Sequence, residues 1–124
     1  MAALNVTGEE FQQIVQLPGI TLVDFWAEWC GPCRQFGPIF EAVSEDHPDI
    51  RFAKIDTEAE REIASAAAIS SIPTLMAFRD GVLLYREAGA LPESSLRELI
   101  AAIQALDMEQ VLKEISEDAH LPQE

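Results

Sequence analysis

A continuous apolar run over residues 20–27 (ITLVDFWA) constrains the fold of this chain more than any other feature of its sequence. Only Thr21 and Asp24 interrupt the run, so it lacks the alternation of apolar and polar residues found in a strand with one face in water. The pattern predicts a strand buried on both faces, as in the middle of a parallel or mixed sheet. The segment 28–33 (EWCGPC) follows directly, so two cysteines lie just beyond the end of a central strand.

The residues around this strand predict several helices. Thr7 and Glu10 form a capping box that predicts a helix to about residue 16, and a second capping box over 57–60 (TEAE) predicts an Ala-rich helix to about residue 68. The spacing of apolar residues after the cysteines predicts a helix to about residue 46, kinked at Pro38 because proline lacks the N–H that the turn requires.

Further strands are predicted over 50–56, 74–78 and 82–85, and the Asp80-Gly81 pair is a strong signal for a hairpin between the last two. A helix over 92–105 follows them. Strands and helices in this order predict an α/β fold, with a central mixed sheet of four to five strands and helices on both faces.

The chain divides into one domain and a distinct end. With 124 residues, it has the length of a single domain, predicted over 1–106, and residues 107–124 form an acidic C-terminal extension. The extension carries six acidic residues against the single Lys113. A short amphipathic helix over 107–117, capped by Asp107, and then a frayed tail are predicted there. Its apolar stripe is Met108, Val111, Leu112 and Ile115.

The charge of the chain limits the partners that we expect, and its first residues indicate a compartment. With 8 basic and 22 acidic residues the net charge is −14, which repels phosphate backbones and anionic lipids, so neither nucleic acid nor membrane is an expected partner. No apolar run approaches the roughly 18–20 residues of a membrane span. The first residues do not combine a basic segment with an apolar one, so no secretory signal is predicted and a cytoplasmic location is expected.

The two cysteines, Cys30 and Cys33, are too few for a disulfide-rich scaffold. A structural zinc site needs about four ligands, and His47 and His120 lie far from the cysteines and from each other, so no metal is expected. The C-x-x-C spacing within a pattern of alternating strands and helices indicates a redox pair instead.

The position of this pair suits reversible disulfide chemistry. Thiols at i and i+3 share one face of a helical turn and reach disulfide geometry with little backbone movement. Cys30 falls at the helix N-terminus, where backbone N–H groups and the helix dipole favour a thiolate, the attacking species. Pro32 fits the first turn and removes a donor to the Cys30 sulfur, which indicates a reducing pair rather than an oxidising one.

Asp24 interrupts an otherwise apolar strand. Burial of an unpaired carboxylate is costly, so its pKa is expected to rise. A carboxylate with such a pKa can accept the proton of Cys33, through water, when that thiol must attack. The residues alone also allow a strand residue that faces a polar cavity and has no proton role.

The segment 22–33 (LVDFWAEWCGPC) resembles the active-site region of thioredoxins. The segments 71–74 (SIPT) and 88–91 (AGAL), with the Asp80-Gly81 turn between them, follow in the order and spacing of that family. The resemblance covers about residues 3–106. It implies the thioredoxin fold and a protein that carries no cofactor of its own.

The resemblance also implies roles for residues near the cysteines. Cys30 would be the nucleophile that attacks a substrate disulfide, and Cys33 the thiol that resolves the mixed disulfide. Gly31 and Pro32 would set the redox potential. The proton role would belong to Asp24, with a basic residue of the family matched here by Lys54, which otherwise is a solvated strand residue.

A substrate groove is implied as well. Pro73 would be cis and would lie opposite the cysteines, where the Ile72 backbone can pair with an extended peptide. Apolar lining would come from Trp29, Ile72, Gly89 and Ala90. Glu87 departs from the family and predicts a more acidic rim near Gly89, unless the charge of the neighbouring Arg86 offsets it.

The leading hypothesis is a monomeric protein-disulfide reductase that acts on oxidised client proteins and is re-reduced by a thioredoxin reductase using NADPH and FAD. One alternative is a non-catalytic binding module of the same fold, which docks through the C-terminal helix. Another is an oxidase or isomerase of exported proteins. The sequence around the cysteines argues against a merely structural disulfide, because it favours a reactive thiolate.

Overall fold

The computed structural model describes residues 3–119, with side chains described for residues 3–117. Five strands and five helices alternate along this part of the chain. The strands are β1 (Ala3–Asn5), β2 (Ile20–Trp26), β3 (Arg51–Asp56), β4 (Thr74–Arg79) and β5 (Val82–Ala88). The helices are α1 (Gly8–Ile14), α2 (Gly31–Glu45), α3 (Arg61–Ala66), α4 (Glu93–Gln104) and α5 (Met108–Ala119).

The strands form one mixed sheet in the order β1-β3-β2-β4-β5. β1, β3 and β2 run parallel, while β4 and β5 are antiparallel to their neighbours. β2 lies in the centre, and six of its seven residues are buried. The predicted α/β fold with a mixed sheet is therefore confirmed, and so is the expectation that the apolar run is buried on both faces.

Each face of the sheet has its own core, because successive residues of a strand point to opposite faces. On one face, Leu22 packs with residues of α2 and α4, among them Phe36, Phe40 and Ile100. On the other face, β2 contributes Val23 and Phe25, which pack with residues of α1 and α3. That second cluster also contains Phe11, Ile63, Ala53, Ile55, Met76 and Phe78.

The first strand was missed in the sequence. β1 has only three residues and pairs with β3, with Leu4 opposite Ala53. Three residues are too few to show a period, so β1 depends on the exposed edge of β3 rather than on a pattern of its own.

The prediction that a helix begins at the 57–60 capping box is wrong. α3 begins at Arg61, without a side-chain cap. The Thr57 hydroxyl donates to the Trp26 carbonyl at 3.1 Å, and the Asp56 carboxylate accepts the Glu58 N–H at 2.9 Å, so a turn closes the end of β3. Glu60 caps the start of α1 instead, because its Oε1 accepts the N–H of Gly8 at 2.9 Å.

The other predicted turns and caps are confirmed. Thr7 and Glu10 form a complete capping box at α1. Asp80 and Gly81 have φ values of 53° and 83°, the positive values of a tight hairpin turn. α2 extends from Gly31 to Glu45 with Pro38 inside it, and the kink expected at Pro38 stays a prediction.

α5 begins where the sequence predicts and extends further. The Asp107 carboxylate accepts the N–H of Gln110 at 3.2 Å, and the helix reaches Ala119 rather than residue 117. Met108 is buried, whereas Leu112 and Ile115 remain about half exposed. The expected frayed end beyond residue 119 lies outside the described residues. Within those residues, no helix has the length and apolar content to span a membrane.

Candidate active site

The two cysteines stand at the start of α2 and are joined as a disulfide, with a Cα–Cα distance of 5.2 Å. Cys30 is the N-cap residue, and its Sγ accepts the N–H of Cys33 at 3.1 Å. In the dithiol form, this N–H and the amino end of α2 favour a thiolate on Cys30. Gly31 and Pro32 form the exposed first turn between the two sulfurs.

The Ile72–Pro73 peptide bond is cis, as the resemblance predicted. It places the Ile72 carbonyl oxygen 3.6 Å from the Cys30 Sγ. The Ile72 side chain packs against the cluster that contains both cysteines. The Pro73 carbonyl accepts the N–H of Gly89 at 2.8 Å, which ties the end of β5 to the same loop.

The groove residues named from the sequence lie around this point. Trp29 directly precedes the N-cap cysteine and is 66% exposed. Gly89 has a φ of 111°, a conformation that favours glycine, and both Gly89 and Ala90 are exposed.

Asp24 lies on β2 and is fully buried, and among residues 3–117 neither of its carboxylate oxygens has a hydrogen-bond partner. Burial raises its pKa from 3.8 to about 7, and the positive charge of Lys54 opposes the rise. The two residues are register partners on β2 and β3. The predicted rise in the pKa of Asp24 and the opposing effect of the Lys54 charge are therefore both found.

Trp26 also lies next to these residues. The sequence predicted it only as a core residue, and its contact with Lys54 was missed. The Lys54 ammonium lies 5.1 Å from the centre of its ring, a cation–π arrangement. The signal was available, because Trp26 follows Asp24 by two residues and so shares its face of the strand. The ring thus helps to hold the lysine beside the buried acid.

A cleft of about 420 Å³ opens on this side of the cysteines. Cys33, Trp26 and Lys54 all line it, so the resolving sulfur and the lysine border the same space. The guanidinium of Arg34 closes one side by donating to the Glu28 carbonyl at 3.1 Å. Among residues 3–119, no group of three or more His, Cys, Asp or Glu side chains is placed to hold a metal ion.

Comparison with known proteins assigns the family. The family model described as Thioredoxin matches residues 2–102. The chain belongs to the thioredoxin family. It has the thioredoxin fold, and its cysteine pair at disulfide distance performs the dithiol–disulfide exchange of a thiol-disulfide oxidoreductase.

Similar proteins come from several bacteria and an archaeon. A putative thioredoxin 2 of Streptomyces coelicolor is 48% identical over 116 residues, covering 94% of this chain and 87% of its own. The Bacillus subtilis thioredoxin is 35% identical and covers 81% of this chain and 96% of its own. A solved mutant thioredoxin of Halobacterium salinarum superposes with a TM-score of 0.76 at 34% identity, covering 85% and 93% of the two chains.

The comparisons differ in how far they extend toward the C-terminal extension. An alignment over 116 of the 124 residues must reach the residues of α5, whichever end the uncovered residues come from. The family model ends at residue 102, before α5 begins. α5 therefore lies outside the segment that the family model matches, although the alignment with the Streptomyces relative reaches it.

Proposed function

We propose that this thioredoxin is a general protein-disulfide reductase that acts on oxidised client proteins. The single observation that supports this most is the position of the Cys30 sulfur. It accepts the Cys33 N–H at the start of α2 and lies 3.6 Å from the Ile72 carbonyl of the cis-proline loop. A thiolate there is both activated and next to a backbone that can align a peptide.

The reaction consists of two exchanges. The Cys30 thiolate attacks one sulfur of the client disulfide, which forms a mixed disulfide and releases the other client sulfur as a thiolate that takes up a proton. The Cys33 thiol then loses its proton and attacks the Cys30 sulfur. The client leaves as a dithiol, and the two electrons it gained come from the Cys30–Cys33 pair, which is now a disulfide.

Asp24 is proposed as the base of the second exchange. A carboxyl with a pKa of about 7 is partly ionised at neutral pH, so it can take the proton of Cys33 through water and return it later. Lys54 is proposed to tune that pKa by its charge. Gly31 and Pro32 are proposed to set the potential, and Trp29, Ile72, Pro73, Gly89 and Ala90 to receive the client chain.

The proposal includes the electron donor and the setting. Thioredoxins are typically reduced by a thioredoxin reductase, and a reductase with NADPH and FAD is proposed for this chain. It would act as a monomer in the cytoplasm, where thiols are kept reduced. The domain is proposed to comprise residues 1–106, with 107–124 as the acidic extension.

Turbidity of insulin in the presence of dithiothreitol tests the proposal, because reduced insulin chains precipitate. The wild-type protein is expected to shorten the lag strongly, and Cys30→Ser to restore the lag of dithiothreitol alone. A wild-type lag equal to that of dithiothreitol, or a Cys30→Ser variant with full activity, would contradict it.

A second candidate function rests on α5. Its Leu112 and Ile115 side chains are 48% and 47% exposed, and Glu109, Glu114 and Glu117 flank them on the same helix. An apolar stripe bordered by acids fits a basic amphipathic helix of a partner protein, whereas a second copy of a chain with net charge −14 is repelled.

Fluorescence anisotropy with a labelled lysine- and leucine-rich helical peptide tests this binding function. The full-length protein is expected to bind the peptide, and the Leu112→Gln/Ile115→Gln variant to bind at least tenfold more weakly. Equal binding by the two proteins, or a shift of the wild type to a dimer in sedimentation, would refute the proposed partner.

A further inference from the structure

The C-terminal end of α3 has an unusual backbone. Ala68 adopts a φ of 56°, and the N–H groups of Ala68 and Ile69 bond back to the carbonyls of Ser65 and Ala64, both at 2.9 Å. This is a helix end of the Schellman type, in which glycine normally holds the left-handed position. An alanine there is strained by roughly 1–2 kcal/mol, so a further contact is needed to keep the conformation fixed.

Arg86 supplies that contact from the other side of the loop. Its Nη2 donates to the Ala68 carbonyl at 2.8 Å. Arg86 is the register partner of Met76 on β4, so its side chain leaves the sheet on the face that carries α1 and α3. The planar guanidinium therefore holds the carbonyl of the strained residue from a strand, which is a rigid support.

The segment between Ala68 and Pro73 carries the client-binding backbone. Within it, the Ser71 carbonyl accepts the hydroxyl of Thr74, and the Ile72 carbonyl faces the Cys30 sulfur. β5 holds this segment at both ends, since Arg86 binds the Ala68 carbonyl and the N–H of Gly89 binds the Pro73 carbonyl at 2.8 Å.

We propose that Arg86 is a positioning residue for client binding, which fixes the left-handed Ala68 and thereby orients the Ile72 backbone toward an incoming peptide. This inference rests on the proposed function, because it concerns the groove used by protein disulfides. Arg86 touches neither sulfur nor client, so its loss should weaken the binding of a peptide chain and leave the reactivity of Cys30 unchanged.

Steady-state kinetics on two substrates separates these effects. Insulin requires the groove, whereas DTNB is a small disulfide with no peptide backbone to align. Arg86→Met keeps the aliphatic stem and removes the donor. It is expected to raise the KM for insulin roughly fivefold, the effect of losing about one hydrogen bond, with the kcat for insulin and the rate with DTNB changed less than twofold. Arg86→Lys, which keeps a donor, is expected to recover part of the loss.

Ala68→Gly tests the physical cause. Glycine takes a positive φ without strain, so the hydrogen bond from Arg86 to the carbonyl of residue 68 becomes less necessary. In the Ala68→Gly background, Arg86→Met is therefore expected to raise the insulin KM less than twofold. Arg79→Met is the matched control. Arg79 also donates to backbone carbonyls, those of Ile103, Gln104 and Leu106, but at the far end of the sheet. It is expected to leave the insulin KM unchanged.

Three results would overturn the role of Arg86: an unchanged insulin KM in Arg86→Met, an equal loss with insulin and DTNB, or the same loss in the Ala68→Gly background. Failure of the proposed function itself looks different, because the wild type would then accelerate neither reaction beyond dithiothreitol alone.

Discussion

Asp24 and Lys54 are register partners on two neighbouring parallel strands, so a basic side chain stands beside the buried carboxyl. Burial raises the pKa of Asp24 to about 7, and the charge of Lys54 limits the rise. Among residues 3–117, no side chain or backbone group forms a hydrogen bond with this carboxyl, so burial and the charge of Lys54 are the protein's own influences on its pKa. The acid is thus held near the point at which it can both accept and return a proton.

Asp24→Asn is expected to stabilise the protein, and more so at higher pH. Between pH 4 and 7 the folded state keeps a proton that the unfolded state has lost, so wild-type stability falls as pH rises through this range. The advantage of the variant should widen by about 3 kcal/mol between pH 5 and pH 8. Urea unfolding of both proteins as disulfides measures it, and parallel pH profiles would contradict the assignment of a buried, unpaired carboxylate.

The rate of protein reduction is expected to rise with pH through about 7, as the Asp24 carboxylate becomes available as a base. In Asp24→Asn, the rate of the second exchange should fall by about 100-fold or more, and this inflection should disappear. Single-turnover reduction of a client disulfide, followed from pH 5 to 9, separates that step from the first exchange. An inflection that survives in the variant would assign it to another group.

Lys54→Met is expected to move the same inflection to higher pH. The methionine keeps most of the apolar stem against Trp26 but removes the charge that lowers the pKa of Asp24. Lys54→Arg, which keeps the charge, is the control and should leave the midpoint near its wild-type value. A midpoint that stays in place in Lys54→Met would show that the lysine is only a solvated strand residue.

Cys33→Ser is expected to trap the mixed disulfide, because the first exchange needs only Cys30 and the second has lost its attacking sulfur. Mass spectrometry under non-reducing conditions should find the client attached to the protein, and dithiothreitol should release it. Cys30→Ser, handled in the same way, should carry no client. Trapping by Cys30→Ser instead would reverse the roles of the two cysteines.

Gly8→Ala is expected to destabilise the protein by about 1–3 kcal/mol. A Cβ at Gly8 would lie 2.9 Å from the Ile63 Cβ, so α1 and α3 would have to separate, weakening the bond from the Gly8 N–H to Glu60. Gly37→Ala is the matched control, since a Cβ there meets nothing within 4 Å and alanine favours a helix. Thermal unfolding of the two variants should shift in opposite directions. Equal shifts would mean that the α1–α3 contact yields easily.

Local signals in the sequence were sufficient for most of the fold. The capping box at Thr7 and the Asp80-Gly81 turn act through neighbouring residues, so their structure follows from the sequence around them. The burial of β2 was predictable because its composition alone shows that both of its faces are apolar. The site was predictable for the same reason at the cysteines and at Asp24, where the type of residue conflicts with its surroundings and so marks a function.

Long-range contacts account for what was not predicted. The box at Thr57 looks like a helix start, but its hydroxyl binds the carbonyl of Trp26, thirty-one residues away, and Glu60 caps a different helix. The bond from Arg86 to Ala68 is likewise made between elements distant in sequence. Each of these contacts requires the assembled sheet, so no window of neighbouring residues contains the information.

The position of β5 at the border of the sheet has a consequence for solution behaviour. An edge strand with unpaired N–H and C=O groups can pair with strands of other molecules and start aggregation. β5 carries the exposed charges of Arg86 and Glu87, and its pairing with β4 is shifted at Ala77 and Phe78, an irregularity that disfavours a flat template. Pairing of this edge with a strand of another molecule is thereby disfavoured.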